Sequence, residues 1–162
     1  MIVIRCTQRL AKRFHLRLTD GIPQSTGLLG DWYANLLNVG HSRLVLCLSE
    51  RTLLPVLLPA RKREFPSRFA TYLAPVLEHL AISPGLIETE ANAASQVVLS
   101  RTRSRQVLGA LNDFAFNAGV HLAHGESPLQ VSLRLTEMPS KPIHYDSPER
   151  VTQSLFAAQG RG

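Results

Sequence analysis

Three arginines at alternate positions, Arg101, Arg103 and Arg105, stand just before an apolar segment with helical spacing. Guanidinium groups donate paired hydrogen bonds to phosphate or carboxylate oxygens, and a helix N-terminus adds free N–H donors and a partial positive charge. If residues 99–105 are extended, these arginines project on one side of the chain. The pattern predicts an anion-binding surface. The glycine spacings of nucleotide-binding loops do not accompany it, so a nucleotide motif is not supported.

The positive charge of the chain is concentrated in two short segments. The formal net charge is +6, from 18 Lys and Arg against 12 Asp and Glu. Residues 1–20 hold a net charge of +4 and residues 101–125 a net charge of +2, whereas the other segments balance to zero. If the two segments meet in the fold, they form one basic face that attracts phosphate; the alternative is a solvated surface without a specific partner. The phosphate-contact candidates are Arg9, Lys12, Arg13, Arg101, Arg103 and Arg105.

Four polar residues are candidates for catalysis. Asn112 and Asp113 interrupt the apolar face of the predicted helix, and Asp31 and Asn35 lie in an otherwise apolar segment. If the four side chains line one site, Asp31 and Asp113 form a carboxylate pair for acid–base chemistry or for holding Mg²⁺. The alternative is structural, with Asn112 in a buried hydrogen bond and Asp113 paired with an arginine.

The sequence predicts neither a metal site nor a cofactor. His121 and His124 have a spacing that can hold a metal ion, but no third ligand is evident. Cys6 and Cys47 are too few for a disulfide framework and are expected to be buried thiols in a reducing compartment.

Composition indicates one globular domain. The chain has 162 residues, 44% of them hydrophobic and 19% charged. No apolar run reaches the length of a membrane span, and Arg5 stands inside the only stretch that could start a signal peptide. We expect a cytoplasmic protein without a membrane partner. The domain is expected over residues 1–137, followed by a proline-containing tail with a short helix over residues 138–162.

The apolar patterns predict an α+β fold with a mostly antiparallel sheet of four or five strands. Strands are expected at residues 2–4, 31–37, 43–48, 52–58 and 130–136, with a helix as the competing interpretation of 31–37. Helices are expected from Thr7 to about Leu18, over 67–82 and over 104–124, and the last two are expected to cover one face of the sheet. Residues 86–100 are ambiguous, with Ile87 to Ala94 a candidate short helix and Gln96 to Leu99 a candidate strand. Pro55 predicts that 52–58 is an edge strand, because proline lacks the N–H that a ladder requires.

Several motifs together resemble an uncharacterised bacterial family of domains of unknown function. They are the turn Ile4-Arg5-Cys6-Thr7, the Gly30-Asp31-Trp32-x-Ala34-Asn35 element, the hairpin over 43–59 that ends in leucine and proline, and the helix start that leads from Arg103-Ser104 to Gly109 and Asn112-Asp113. The resemblance spans most of residues 1–135. It implies no activity.

Three hypotheses for function follow. The first is a small binding module whose basic face contacts an anionic partner, with nucleic acid the foremost candidate. The second is a nuclease or phosphate-ester hydrolase, in which arginines hold the phosphate and Asp31 and Asp113 act on it. The third is an antitoxin-like accessory subunit, in which the edge strand over 52–58 pairs with a protein partner.

Overall fold

The computed structural model describes residues 1–22 and 24–159 of the chain. Its elements are β1 (Ile2–Cys6), α1 (Gln8–Phe14), β2 (Trp32–Val39), β3 (Ser42–Ser49), β4 (Pro55–Pro59), α2 (Phe69–His79), α3 (Pro84–Ala93), β5 (Val97–Arg101), α4 (Arg105–Ala123), α5 (Pro128–Leu135), a 3₁₀ turn (Lys141–Ile143) and α6 (Pro148–Gln159). The strands form one mixed sheet in the order β4-β3-β2-β1-β5. The pairs β2–β3 and β3–β4 are antiparallel, and β1 is parallel to both β2 and β5. The predicted α+β class with a single sheet is confirmed.

The sheet is buried on both faces, which corrects the expectation that both main helices cover one face. The first face packs Ile4, Trp32 and Val56 against α2, where Trp32 meets Phe69 edge to face at 4.8 Å between ring centroids. The second face packs Leu46 and other strand residues against α4 and α5. The strands are apolar at successive positions, so each strand buries side chains on both sides. Helices must therefore cover both faces.

Helix α4 starts where its cap residue predicts. Ser104 accepts a hydrogen bond from the amide of Val107 through its side chain, and this N-cap begins a helix that runs to Ala123. The hydroxyl of Tyr33, on β2, accepts a hydrogen bond from the amide of Ser104 at 3.1 Å. This contact places the start of α4 over the beginning of β2.

Two predicted elements differ in the structure. The segment expected as a strand over 130–136 is helix α5, which begins with a capping box between Ser127 and Gln130. That box satisfies amides at the start of the helix and outweighs the alternating apolar pattern that follows. The helix expected to reach Leu18 ends at Phe14, because His15 adopts a left-handed conformation with φ 52°.

Strand β4 lies at one edge of the sheet, as Pro55 predicts, but helix α5 covers this edge. Leu57 directs its amide away from β3 and donates it to the Ser132 hydroxyl of α5 at 3.1 Å. Backbone N–H groups two positions apart on a strand point to the same side. Pro55 and Pro59 therefore stand at positions where the amide would also point outward, and proline has no N–H. At the opposite edge, the Thr19 amide donates to the carbonyl of Leu99 on β5 at 2.8 Å.

The C-terminal helix α6 packs onto the rest of the fold. Phe156 is buried in the first core, and Thr152 donates a buried hydrogen bond to Thr52 at 2.9 Å. Residues 160–162 of the predicted tail lie outside the described residues. Within the described residues, no helix is both long and apolar enough to cross a membrane.

Candidate anion-binding site

The two basic segments of the sequence meet where β1 and β5 pair. The parallel register places Cys6 opposite Arg101, at the carboxyl ends of both strands. The Nη1 of Arg5 also donates to the carbonyl of Arg101 at 2.8 Å. Helix α1 begins directly after β1 and α4 begins shortly after β5. The cations of α1 and of residues 101–105 are therefore carried by neighbouring strand ends.

Beneath this surface lies a buried ion pair between Arg5 and Asp31. The Nε of Arg5 donates to Oδ2 of Asp31 at 2.9 Å, and their side chains are only 9% and 5% exposed. The pair joins β1 to the residue that precedes β2. A buried pair of this kind is retained because removing either partner leaves an uncompensated charge.

The remaining lone pairs of Asp31 hold the loop before β2. Its Oδ1 accepts from the Ser25 hydroxyl at 2.7 Å, and that hydroxyl oxygen accepts from the amide of Val3 at 2.8 Å. The amide of Asp31 in turn donates to Oε2 of Glu50 at 2.8 Å. Because these contacts use the carboxylate and the amide of Asp31, this residue holds the loop in place.

A second carboxyl group holds the same loop from the other side. Glu90, on α3, is 2% exposed, and its Oε1 accepts from the amide of Leu28 at 2.6 Å. Burial raises the pKa of Glu90, and the hydrogen bonds from Leu28 and Leu29 and the charge of Arg51 oppose that increase. Gly27 lies so close to Glu90 that a Cβ added there would meet Oε2 at 2.9 Å.

Three open clefts follow one another across the basic surface. The first, of about 260 Å³, contains Lys12 and Arg101. The second, of about 240 Å³, contains Arg101 and Arg103. The third, of about 130 Å³, contains Arg103 and Arg51 together with the acidic Asp31 and Glu50. Since Arg101 and Arg103 each line two clefts, the clefts form a continuous row.

The cations along this row are accessible to a ligand. The Arg101 side chain is 57% exposed and pairs with Asp20, which is 73% exposed, at 2.6 Å. The Arg103 side chain is 62% exposed, and its Nη2 lies 3.8 Å from Asp31, beyond hydrogen-bonding distance. Lys12 is exposed on α1. An anion can reach all three cations from solvent.

The structure brings only some of the predicted anion-binding residues together. Lys12, Arg101 and Arg103 line the row of clefts. Arg9 and Arg13 are exposed on α1 and Arg105 is exposed at the start of α4, but they are not among the residues that line these clefts. The clefts therefore contain three of the six predicted anion-binding residues.

The four predicted catalytic residues do not converge. Asp31 is buried against Arg5, whereas Asn112 and Asp113 are exposed on α4. Asn35 accepts from the Thr7 hydroxyl at 2.6 Å, so it supports the start of α1. The described contacts and clefts contain no site shared by Asp31 and Asp113.

The remaining candidate ligands have structural partners. Nδ1 of His121 lies 3.0 Å from Glu126, and Nδ1 of His124 lies 2.7 Å from the carbonyl of Val120. Cys6 and Cys47 are free and buried, and burial raises the pKa of Cys6 to about 12 and that of Cys47 well above its usual range. Within the described residues, no group of three or more His, Cys, Asp or Glu is placed to hold a metal ion.

The sequence pattern does not identify Arg5, Ser25 or Arg51 as residues of this surface. Arg5 had one local signal, because it stands between Ile4 and Cys6 in an apolar strand, where a buried cation requires a partner. No local signal identifies the partner as Asp31, which is 26 residues away.

Comparison with known protein families finds one match. A family described as Domain of unknown function (DUF6933) matches residues 3–151, from β1 to the first turn of α6. This match confirms the resemblance that the sequence motifs indicate. No curated protein and no solved structure matches the chain.

Proposed function

The chain belongs to the family described as Domain of unknown function (DUF6933), and from its surface geometry we propose that it is a binding module for a phosphate-bearing partner, with nucleic acid the foremost candidate. One observation carries the proposal. Lys12, Arg101 and Arg103 line three adjoining clefts, although they come from segments about 90 residues apart in the chain. The pairing of β1 with β5 brings these segments together.

The chemistry of the row suits successive phosphate groups. Arginine forms bidentate hydrogen bonds with phosphate, and a row of cations can follow the backbone of a strand. No aromatic side chain is among the described residues that line the three clefts. Base stacking therefore has no platform there, and the geometry favours contacts with the backbone over recognition of bases.

The same geometry favours binding over hydrolysis. The carboxylate nearest to Arg103 is Asp31, and Arg5 and Ser25 already occupy it. A general base must be able to accept a proton from the nucleophile, which an anchored and buried carboxylate does poorly. The free, buried thiols of Cys6 and Cys47 agree with the reducing, cytoplasmic location that we propose.

The proposal is tested by binding measured across a salt series. Fluorescently labelled DNA and RNA of about 20 nucleotides, single- and double-stranded, are titrated with the chain while anisotropy is recorded. The test variant combines Lys12→Ala, Arg101→Ala and Arg103→Ala. The control combines Arg9→Ala, Arg13→Ala and Arg105→Ala, which removes the same formal charge outside the clefts.

We expect the test variant to bind more weakly and to lose about 0.9 from the log–log salt slope for each phosphate contact to duplex DNA that it no longer makes. The control should retain most of the affinity. Equal losses in the two variants would contradict a role for the clefts, and no binding by the unmodified chain at low salt would reject the proposal. If the chain cleaves the probe in the presence of Mg²⁺, the proposed binding function is wrong and the protein is a nuclease.

A further inference from the structure

A second concave surface lies away from the basic row. It is a groove of about 380 Å³ between strand β4 and helices α2 and α5. Most of its lining is apolar and comes from Leu57, Pro59, Tyr72, Pro75, Pro128 and Leu129, and the polar residues Thr71, Ser127 and Ser132 complete it. Leu129 remains 44% exposed there. The volume lies within the range of about 300–1,000 Å³ that is typical of binding sites, so the groove can receive bulky side chains.

A basic turn follows β4, the strand that contributes Leu57 and Pro59 to the groove. Arg61, Lys62 and Arg63 follow Pro59 after one intervening residue, Ala60, and are all exposed, and the side chain of Arg68 is 56% exposed. These four cations make the turn basic, although their segment is neutral when it is counted over residues 61–100.

Tyr72 connects the turn to the groove. Its hydroxyl donates to Glu64 at 2.8 Å, and Glu64 also lies 3.8 Å from Arg68. Burial raises the pKa of Tyr72, as does Glu64, whereas the charges of Arg68 and Arg61 lower it. Glu64 therefore links Arg68 of the basic turn to a residue that lines the groove.

The edge of β4 restricts how a partner can bind. An added strand needs N–H donors from the edge, but Pro55 and Pro59 have none and the amide of Leu57 is bonded to Ser132. A partner at this groove must therefore bind through side chains. A helix satisfies its own backbone and presents apolar residues at intervals of three and four, which suits an apolar groove beside an edge without donors.

We propose that this groove is a docking site for an acidic amphipathic helix of a partner protein. The helix places bulky apolar side chains between Tyr72, Pro75 and Leu129, and its acidic residues face Arg61, Lys62 and Arg63. The proposal rests on the groove and the basic turn, and it is independent of the function proposed for the basic row. A membrane surface fits less well, because insertion into lipid requires protruding apolar residues and this surface is concave.

The test uses a displayed library of helical peptides of about 16 residues. Apolar residues are randomised at the positions of one helix face, and flanking positions are randomised among Asp, Glu, Lys and Ser. Peptides selected on the full chain are synthesised and their affinities measured by anisotropy. We expect enrichment of a pair of large apolar residues three or four positions apart, with Asp or Glu beside them.

Two variants locate the selected peptides. Thr71→Trp fills the groove from an exposed position on its wall, and the combination of Arg61→Glu, Lys62→Glu and Arg63→Glu reverses the charge of the basic turn. Each variant should weaken binding by about tenfold or more. The matched control combines Arg9→Glu, Arg13→Glu and Arg105→Glu, at exposed positions outside both the groove and the basic row, and it should leave peptide affinity unchanged.

Several results would overturn the inference. They are a selection without enrichment, enrichment of lysine in place of acidic residues, and affinities that Thr71→Trp does not change although the variant unfolds at the same temperature as the unmodified chain. Binding to vesicles of anionic phosphatidylglycerol that depends on Arg61, Lys62 and Arg63, with no peptide selected, would assign the surface to a membrane instead.

Discussion

Arg5 and Asp31 lie 2.9 Å apart beneath the row of clefts, and this contact joins a strand to the loop that precedes its neighbour. Ser25, Val3 and the carbonyl of Arg101 extend the same network. This network therefore fixes the strand ends and the loop that lie beneath the exposed cations. Loss of the pair should disturb both the stability of the fold and the position of Arg103.

Removing one partner of this pair should destabilise the fold strongly. Arg5→Met or Asp31→Asn leaves the other group buried without its partner, which costs about 3–5 kcal/mol of unfolding free energy. Urea denaturation of both single variants and of the double variant gives the coupling between them. We expect the double variant to lose much less than the sum of the single losses. Additive losses would show that the two side chains act independently.

Replacing Asp20 should strengthen anion binding. Its carboxylate occupies Arg101 at 2.6 Å, and both side chains are largely exposed, so an incoming phosphate competes with it. Asp20→Asn removes the competitor and should raise affinity for the nucleic-acid probe, with unfolding free energy unchanged within about 0.5 kcal/mol.

Asp113→Asn provides the control for Asp20→Asn, because it removes the same charge from an exposed position on α4 outside the clefts. A gain of equal size in both variants would attribute the effect to net charge and not to release of Arg101. Anisotropy titrations at one fixed salt concentration distinguish the two outcomes.

Glu90 should make stability fall as the pH rises. Its pKa is raised above the usual 4.5 by burial, so the folded state holds the proton to a higher pH than the unfolded chain does. The resulting stabilisation is complete below about pH 4.5 and is lost as the pH rises through the folded-state pKa. Glu90→Gln stays neutral and should lack this loss.

The measurement for Glu90 is the difference in unfolding free energy between the unmodified chain and Glu90→Gln, followed from about pH 4 to about pH 8. The unmodified chain should lose stability relative to the variant as the pH increases. A difference that is constant over this range would contradict the assignment. Because Glu90 holds the amide of Leu28, hydrogen exchange at that amide reports whether the loop moves.

Ser132→Ala should destabilise the fold at the β4 edge. The hydroxyl of Ser132 accepts the buried amide of Leu57, and its loss leaves that donor without a partner at a cost of about 1–3 kcal/mol. Hydrogen exchange at Leu57 should accelerate more than at neighbouring β4 amides. Ser154→Ala, at an exposed position of α6, is the matched control and should change stability by about 0.5 kcal/mol or less. Equal effects of the two substitutions would reject a specific role for the hydroxyl.

Local sequence patterns predict an element correctly where its cap residue and its apolar spacing indicate the same structure. Helix α4 combines a serine cap with regular apolar spacing, and its predicted and observed bounds nearly coincide. Helix α5 lacks the usual helical spacing of apolar residues because it covers the sheet edge and contacts the cores on both faces. Val131 and Leu135 pack in one core and Leu133 against the other, so a helix shows the alternation that is typical of a strand.

The site is less predictable because it depends on contacts between distant segments. Charge counting identifies Lys12, Arg101 and Arg103 as cations, but it does not separate them from Arg9, which is equally exposed and lies outside the clefts. The parallel pairing of β1 with β5 brings α1 near Arg101, and the position of Lys12 on α1 places it in the shared cleft. Charge counting also misses the basic turn near the groove, because acidic residues elsewhere in the same segment cancel its charge in the total.

Other parts of the chain contact both edges of the sheet. At β4, proline and a bonded amide leave no outward N–H donor, and at β5 the amide of Thr19 takes the carbonyl of Leu99. The β4 edge therefore offers no backbone donor on which another copy could stack into a growing fibril. A chain rich in apolar β-strands is thereby protected from aggregation for as long as α5 stays docked.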